Sequence, residues 1–216
     1  MSSPPNASAH AKPFSAYELR TEIETARLGL RPLRRSDAEL VVSWRAQAAD
    51  QFLGAQPTLA EHLAWFASER LGRVDYVIVT KTDGRGIGIV NFRSIDETAR
   101  TAEVGKLIGD PSHRGRGYAQ EATAAWLLYG FGDLGFERIH AWTRSDNHAN
   151  IHVNLKLGYD LTEERQFRDD ETTTEFVKMT LTRQRFLDTL RSCDPWLATM
   201  LSLARRRHAA AARQQP

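Results

Sequence analysis

One segment constrains this chain more than any other: Leu107-Ile108-Gly109-Asp110-Pro111-Ser112-His113-Arg114-Gly115-Arg116-Gly117-Tyr118-Ala119. The strand pattern RTAEVGKLIG (100–109) runs into a short loop with two glycines, and YAQEATAAWLLYGFGDL (118–134) then reads as a helix. A strand that turns through glycines into a helix presents unpaired N–H groups and the positive helix end to the loop, which is the geometry of an anion site. Gly115 and Gly117 permit positive φ and close backbone approach. Small Ala119 leaves room at the first helical turn, and Arg114 and Arg116 add charge. A plain Gly-rich turn satisfies the same residues. Two other phosphate motifs are excluded: there is no GxxxxGK[ST], and Gly84-Arg85-Gly86-Ile87-Gly88 precedes a strand, not a helix.

The flanking pattern sets the fold class. Arg27-Leu28-Gly29-Leu30-Arg31 alternates as a first strand. Ser36 with Glu39, and Thr58 with Glu61, read as capping boxes opening two helices. The second, TLAEHLAWFASER, carries Leu59, Leu63 and Phe66 as an apolar stripe. DYVIVTK (75–81) and GIGIVNFRSI (86–95) form a hairpin through Asp83-Gly84, with 100–109 as the third strand of a meander. RIHAWTR (138–144) is a strand, and Asn147 caps a short helix that Gly158 ends. YDLTEERQF and TTEFVKMTL close the sheet around a polar loop at 168–171. The order predicts an α+β fold, a mixed and mostly antiparallel sheet flanked by helices. Residues 1–16, rich in Ser, Pro and Ala, are expected to be a disordered arm. Residues 182–216 are expected to be a helical C-terminal extension that either packs on the 17–181 domain or makes a homodimer contact.

Composition removes whole classes of function. With 29 Lys+Arg against 27 Asp+Glu the net charge is +2, which gives no global field for nucleic acid. The single cysteine, Cys193, excludes an internal disulfide framework. His148 and His152 lie four apart without a metal-site carboxylate pattern, so no metal is expected. No stretch approaches the ~20 apolar residues of a membrane span, and no secretory leader opens the sequence. These features predict a soluble cytoplasmic protein without a membrane partner. Arg205-Arg206-Arg207 reads as favourable charge near a helix end.

Two blocks carry a resemblance. Arg114-x-x-Gly117-x-Ala119 resembles the Q/R-x-x-G-x-G/A signature of the GNAT superfamily of N-acetyltransferases. Asn147-His148-Ala149-Asn150-Ile151 through Lys156-Leu157-Gly158-Tyr159 is similar to its second block, N-x-x-[AS]-I-x-x-x-x-K-L-G-[FY]. The resemblance covers about 27–181 and implies a GNAT fold using acetyl-CoA. It implies that Leu107, Ile108 and Gly109 bind the pantetheine arm through their backbone. The N–H groups of Gly115, Arg116, Gly117, Tyr118, Ala119 and Gln120 would hold the diphosphate, and Asn147 would hydrogen-bond the pantetheine. The strands at 100–109 and 138–144 would splay to admit the cofactor.

The resemblance also implies the chemistry: direct transfer of acetyl to an amine. Glu103 is the candidate base. Many relatives carry a Tyr proton donor where this chain has Asn154. Deprotonating an α-amine of pKa about 7.8 costs roughly 1 kcal/mol at pH 7, against roughly 4.6 for a lysine, so a low-pKa amine suits the site. Trp44, Arg45 and His62, within W-R … E-H-x-x-W-F, are candidate acceptor residues. That pattern resembles pseudaminic-acid-pathway enzymes acting on nucleotide-linked amino sugars. Other features resemble the ribosomal-protein N-terminal acetyltransferase branch, which implies a peptide N-terminus as acceptor. A non-catalytic CoA-binding module is the third reading.

Overall fold

The alternating stretches pair into a single eight-stranded sheet. The computed structural model describes residues 22–52, 55–68, 72–168, 173–192 and 199. In chain order the elements are β1 (Ile23–Glu24), β2 (Leu28–Pro32), α1 (Ala38–Gln47), α2 (Leu59–Ala67), β3 (Val74–Thr80), β4 (Gly86–Asp96), β5 (Thr101–Ile108), α3 (Tyr118–Gly132), β6 (Arg138–Arg144), α4 (His148–Lys156), β7 (Asp160–Arg168), β8 (Thr173–Thr182) and α5 (Arg183–Ser192). Across the sheet the order is β1-β2-β3-β4-β5-β6-β8-β7. The fold is α+β, as expected.

All neighbouring strands are antiparallel except β5 and β6, and that exception positions the site. The two pair only where Thr101–Glu103 lie beside Arg138–His140. Beyond Glu103, β5 stays with β4 as far as Ile108, while β6 follows β8 as far as Arg144. The strands part, leaving one side of the Val104–Ile108 backbone facing a gap. Gly88 opposite Ile108 permits the close β4–β5 approach: a Cβ there would come within 2.2 Å of the Leu107 carbonyl oxygen.

Strand alternation divides the core between two faces. On one, Tyr76, Phe92, Ala102 and Val104 pack under α3, whose Trp126 stacks on Phe92 at 4.7 Å and meets Tyr76 at 4.6 Å. On the other, Val77 and Leu107 pack with Val41, Trp44 and Ala48 of the α1 region. A Cβ on Gly109 would fall 2.0 Å from Trp44 Cγ, so the Trp44 ring lies directly against the end of β5.

Several expectations shift in detail. The Ser36–Glu39 capping box does not form. Asp37 instead accepts the Arg34 N–H at 2.8 Å and pairs with Arg31 at 2.7 Å, moving the helix start to Ala38. The Thr58–Glu61 box forms as read. The residue α2 buries is His62, not the Leu59–Leu63–Phe66 stripe. Strand β1 was not anticipated, because two residues carry no period. Helix α5 packs on the domain: Phe186 and Leu190 join the main core, with Phe186 5.4 Å from Phe131. Residues 1–16, most of the 168–171 loop, Cys193 and Arg205-Arg206-Arg207 lie outside the described residues.

Candidate active site

The loop before α3 is held open by backbone conformation and tied down by side chains. Gly115 (φ +72°) and Gly117 (φ +78°) are both left-handed. Gly117 is the N-cap of α3 and supplies no side-chain cap, so the first-turn N–H groups of Tyr118, Ala119 and Gln120 lack internal acceptors. Arg114 donates through Nε to the Ile108 carbonyl (3.0 Å) and through Nη2 to that of Gly109 (3.3 Å). Asp110 accepts from the Ser112 N–H (2.9 Å) and hydroxyl (2.7 Å) and pairs with Arg85 at 3.1 Å. The Ser112 hydrogen bonds, with Arg85 and His113, hold the Asp110 carboxyl below its usual range.

Beneath the loop lies a charge with no access to water. Glu121 of α3 is fully buried. It accepts from Thr25 Oγ1 (2.5 Å), the Arg27 N–H (3.1 Å) and Arg27 Nε (2.7 Å). Arg27 Nη1 donates onward to the Arg116 carbonyl at 3.0 Å. The arrangement fixes the loop to the first strands of the sheet.

A cavity of about 420 Å³ opens beside this loop, lined by Leu107, Ile108, Gly117, Ala119, Gln120 and Asn147 among others. A second, of about 310 Å³, holds Arg45, Asn91, Arg93 and Trp142. Both are lined by Gln51, Lys106, Leu107, Asn147 and Asn150, so they meet where β5 and β6 part. A third, of about 320 Å³, carries His62 and Trp65 and shares Arg45, Arg73 and Ile89 with the second.

The second cavity is cationic. Arg45, Arg73, Arg93 and Lys106 line it, and no carboxylate among the described residues does. Arg73 is held by Asp75 (2.8 Å), and Arg93 pairs with Glu103. Arg45 has no ion pair among the described residues; it bonds Gln56 Oε1 at 3.1 Å and lies over Phe52 at 4.6 Å. Burial first, then Arg73 and Arg93, pull the Arg45 guanidinium below its ordinary value. Lys106 Nζ donates to Asn154 Oδ1, and burial brings its ammonium down to about 7. The side-chain oxygens of Asn91 and Asn150 are buried in the site without a hydrogen-bond partner among the described residues.

Residues 27–160 match the family model of the acetyltransferase (GNAT) domain. The chain belongs to that family. It is an N-acetyltransferase, and acetyl-CoA is its co-substrate. An uncharacterized N-acetyltransferase, YoaA, of Bacillus subtilis (strain 168) is 28% identical over 146 residues, 63% of this chain and 81% of its own. Spermidine N(1)-acetyltransferase of Escherichia coli (strain K12) is 26% identical over 140 residues, 60% of this chain and 71% of its own. The crystal structure of spermidine N-acetyltransferase from Vibrio cholerae in complex with CoA and spermine matches the fold with a TM-score of 0.67. It is 20% identical, over 74% of this chain and 98% of that one.

Of the expected cofactor residues, Leu107, Ile108, Arg114, Gly115, Gly117, Tyr118, Ala119, Gln120 and Asn147 line the first cavity and Gly109 and Arg116 do not; the uncapped α3 N-terminus beside a glycine loop fits a diphosphate. Arg114 lines this cavity and keeps its charge there while its Nε and Nη2 donate to the Ile108 and Gly109 carbonyls. Asn147 Oδ1 caps α4 by accepting the Asn150 N–H at 3.1 Å. Glu103 lines none of the three cavities; its carboxylate is taken by Arg93, and it lies beside His140 in the β5–β6 register. Trp44, expected at the acceptor, is instead core, 3% exposed against Gly109. Arg45 lines the second and third cavities; His62 lines only the third, which also carries Glu61 and Asp75, and is buried 5.0 Å from the Trp65 ring. Asn154 is fully buried, bonded to Lys106 and 3.5 Å from Met179 Sδ.

Lys106, Arg73, Arg93, Asn91, Asn150 and the Arg27–Glu121 pair were missed. For Lys106 a signal existed: it shares a strand face with Ala102, Val104 and Ile108, where a lysine is out of place. Among the described residues no metal-binding group occurs, and no helix is long and apolar enough to cross a membrane.

Proposed function

We propose that this N-acetyltransferase takes as acceptor the primary amine of an amino sugar carried on a nucleotide. One observation carries the reading: the acceptor-side cavity is lined by Arg45, Arg73, Arg93 and Lys106 and by no carboxylate among the described residues. Guanidinium groups match phosphate oxygens in charge and in fork geometry. A polyamine would bring like charge into the same space. The relatives named for spermidine support the coarser class, a small amine.

In this reading the N–H groups of Gly115 through Gln120 hold the diphosphate of acetyl-CoA. The backbone at Leu107–Gly109 and Asn147 hold its arm. Bound acetyl-CoA supplies an activated acetyl group as a thioester. The surrounding positive charge disfavours the ammonium form of the acceptor, so an amine of pKa about 7.8 loses its proton to solvent for roughly 1 kcal/mol. Glu103 then serves to orient Arg93. Asn91 and Asn150 offer acceptor oxygens to the N–H groups that enter.

The test is release of CoA thiol from acetyl-CoA across a panel of amino-sugar nucleotides, N-terminal Ser and Ala peptides, spermidine and a lysine peptide. Turnover concentrated on the nucleotide-linked amino sugars supports the reading. Spermidine or a peptide as the preferred acceptor overturns it.

A further inference from the structure

Acetyl transfer from a thioester breaks a C–S bond, and the departing thiolate needs a proton. We propose that Lys106 supplies it, standing beside the sulfur where β5 and β6 part. This rests on the acetyl-transfer reading of the site, but not on which amine is the acceptor.

Placement is the first argument. Five residues line both the cofactor cavity and the acceptor cavity, namely Gln51, Lys106, Leu107, Asn147 and Asn150, and of these only Lys106 titrates. The acetyl group must pass between the two cavities, so its thioester lies among these residues. The second argument is how the amine is held. Asn154, buried on α4, accepts a hydrogen bond from Nζ and fixes the lysine end. Asn154 has no acidic proton to give.

The other candidates are committed or misplaced. His113 pairs with Asp110 at 3.2 Å in the phosphate loop. His152 is exposed on α4. Tyr118 lies under the Arg27 guanidinium at 4.5 Å. The Tyr159 hydroxyl is buried without a hydrogen-bond partner among the described residues, and burial pushes it far above its usual value. The charged and titratable groups facing Lys106 across the cavities are Arg45 from α1, Arg73 before β3 and Arg93 from β4. On the cofactor side they are His113, Arg114, Tyr118, His152 and Lys156. No carboxylate among them pins the proton, and burial brings the ammonium to about 7, where it is easily given up.

The step balances as follows. The acceptor nitrogen uses its lone pair to form the C–N bond. The C–S pair leaves with sulfur. The Lys106 ammonium gives its proton to sulfur, producing the thiol and a neutral lysine. The surplus proton on the new amide nitrogen goes to solvent, and Lys106 takes one back from solvent.

Two measurements test this. The first needs no acceptor: the ultraviolet absorbance of enzyme-bound CoA, titrated with pH, reports its thiolate. Nearby Lys106 lets the bound thiol ionise at lower pH in the wild type than in Lys106→Met; identical titrations overturn the proposal. The second uses whichever amine the wild type turns over best. In Lys106→Met, kcat falls about 100-fold, the scale of a lost proton transfer, with KM for acetyl-CoA within about threefold. Lys106→Arg, which keeps the charge but cannot release a proton, is equally slow. Undiminished kcat in Lys106→Met, or full activity in Lys106→Arg, contradicts proton donation. Failure of the amino-sugar reading shows separately, as a different preferred acceptor of the wild-type enzyme.

Discussion

The two cavities that meet at Lys106 are built on opposite principles. The cofactor side is mostly local: a strand end, a loop with two left-handed glycines and a helix N-terminus within residues 106–120, closed by Gln51 and by Asn147 and the α4 residues up to Lys156. Its chemistry is largely backbone N–H. The acceptor side is assembled from distant segments, with Arg45 from α1, Arg73 before β3, Arg93 from β4 and Asn150 from α4. Its chemistry is side-chain charge. A site made of backbone N–H groups depends little on side-chain identity, whereas a site made of side-chain charge is weakened by single substitutions in its lining.

The largest effect is expected at Arg27→Leu, which leaves Glu121 charged and buried without its ion-pair partner. Stability falls by about 3 kcal/mol, read by urea denaturation, and KM for acetyl-CoA rises as the loop loosens. Next, Arg45→Ala lowers kcat/KM for the nucleotide-linked acceptor about 100-fold, some 2.7 kcal/mol, and leaves KM for acetyl-CoA within twofold. A matching change in both KM values would show the two sides are not separable.

The third prediction concerns Lys106 and stability. Its folded-state pKa is about 7 against an ordinary 10.5. Between those values the unfolded chain binds one more proton than the folded one, so this group's contribution makes stability rise with pH. Below about 7 its cost is fully present. Lys106→Met is therefore more stable than the wild type at pH 6, by about 2 kcal/mol, since partial solvation trims the full shift. Its advantage disappears as pH climbs past 10.5, as melting temperatures across the range will read. The smallest effect is at Gly117→Ala, whose left-handed φ costs about 1 kcal/mol in any residue with a Cβ. It raises KM for acetyl-CoA severalfold and leaves acceptor KM unchanged in steady-state kinetics.

The same contrast explains what could be read from the sequence. The Gly115–Gly117 loop and the Asn147 cap are short-range features whose spacing survives in one dimension. The strands and helices were legible for the same reason, except β1, too short to have a period, and the α1 start, which Asp37 takes from Ser36 by bonding Arg34 and Arg31. The acceptor wall was not legible. Nothing local says that Arg73 and Arg93 face Arg45, because that depends on sheet register and on how α1 and α2 cover β3 and β4. Trp44 shows the converse: its aromatic ring suggested a ligand, but a bare Gly109 beneath it makes it core. Glu103, the candidate base, is taken up by Arg93, which the β4–β5 register places opposite it.

In the proposed function the acceptor is recognised through its negative charge. The most direct measurement compares kcat/KM for one amino sugar presented free and presented on a nucleoside diphosphate, at fixed saturating acetyl-CoA. The nucleotide-linked form is expected to be preferred by about 100-fold or more, the worth of two or so charge-assisted contacts, with a preference that shrinks as salt is added. Equal values for the two forms, or a preference for the free sugar, would contradict it.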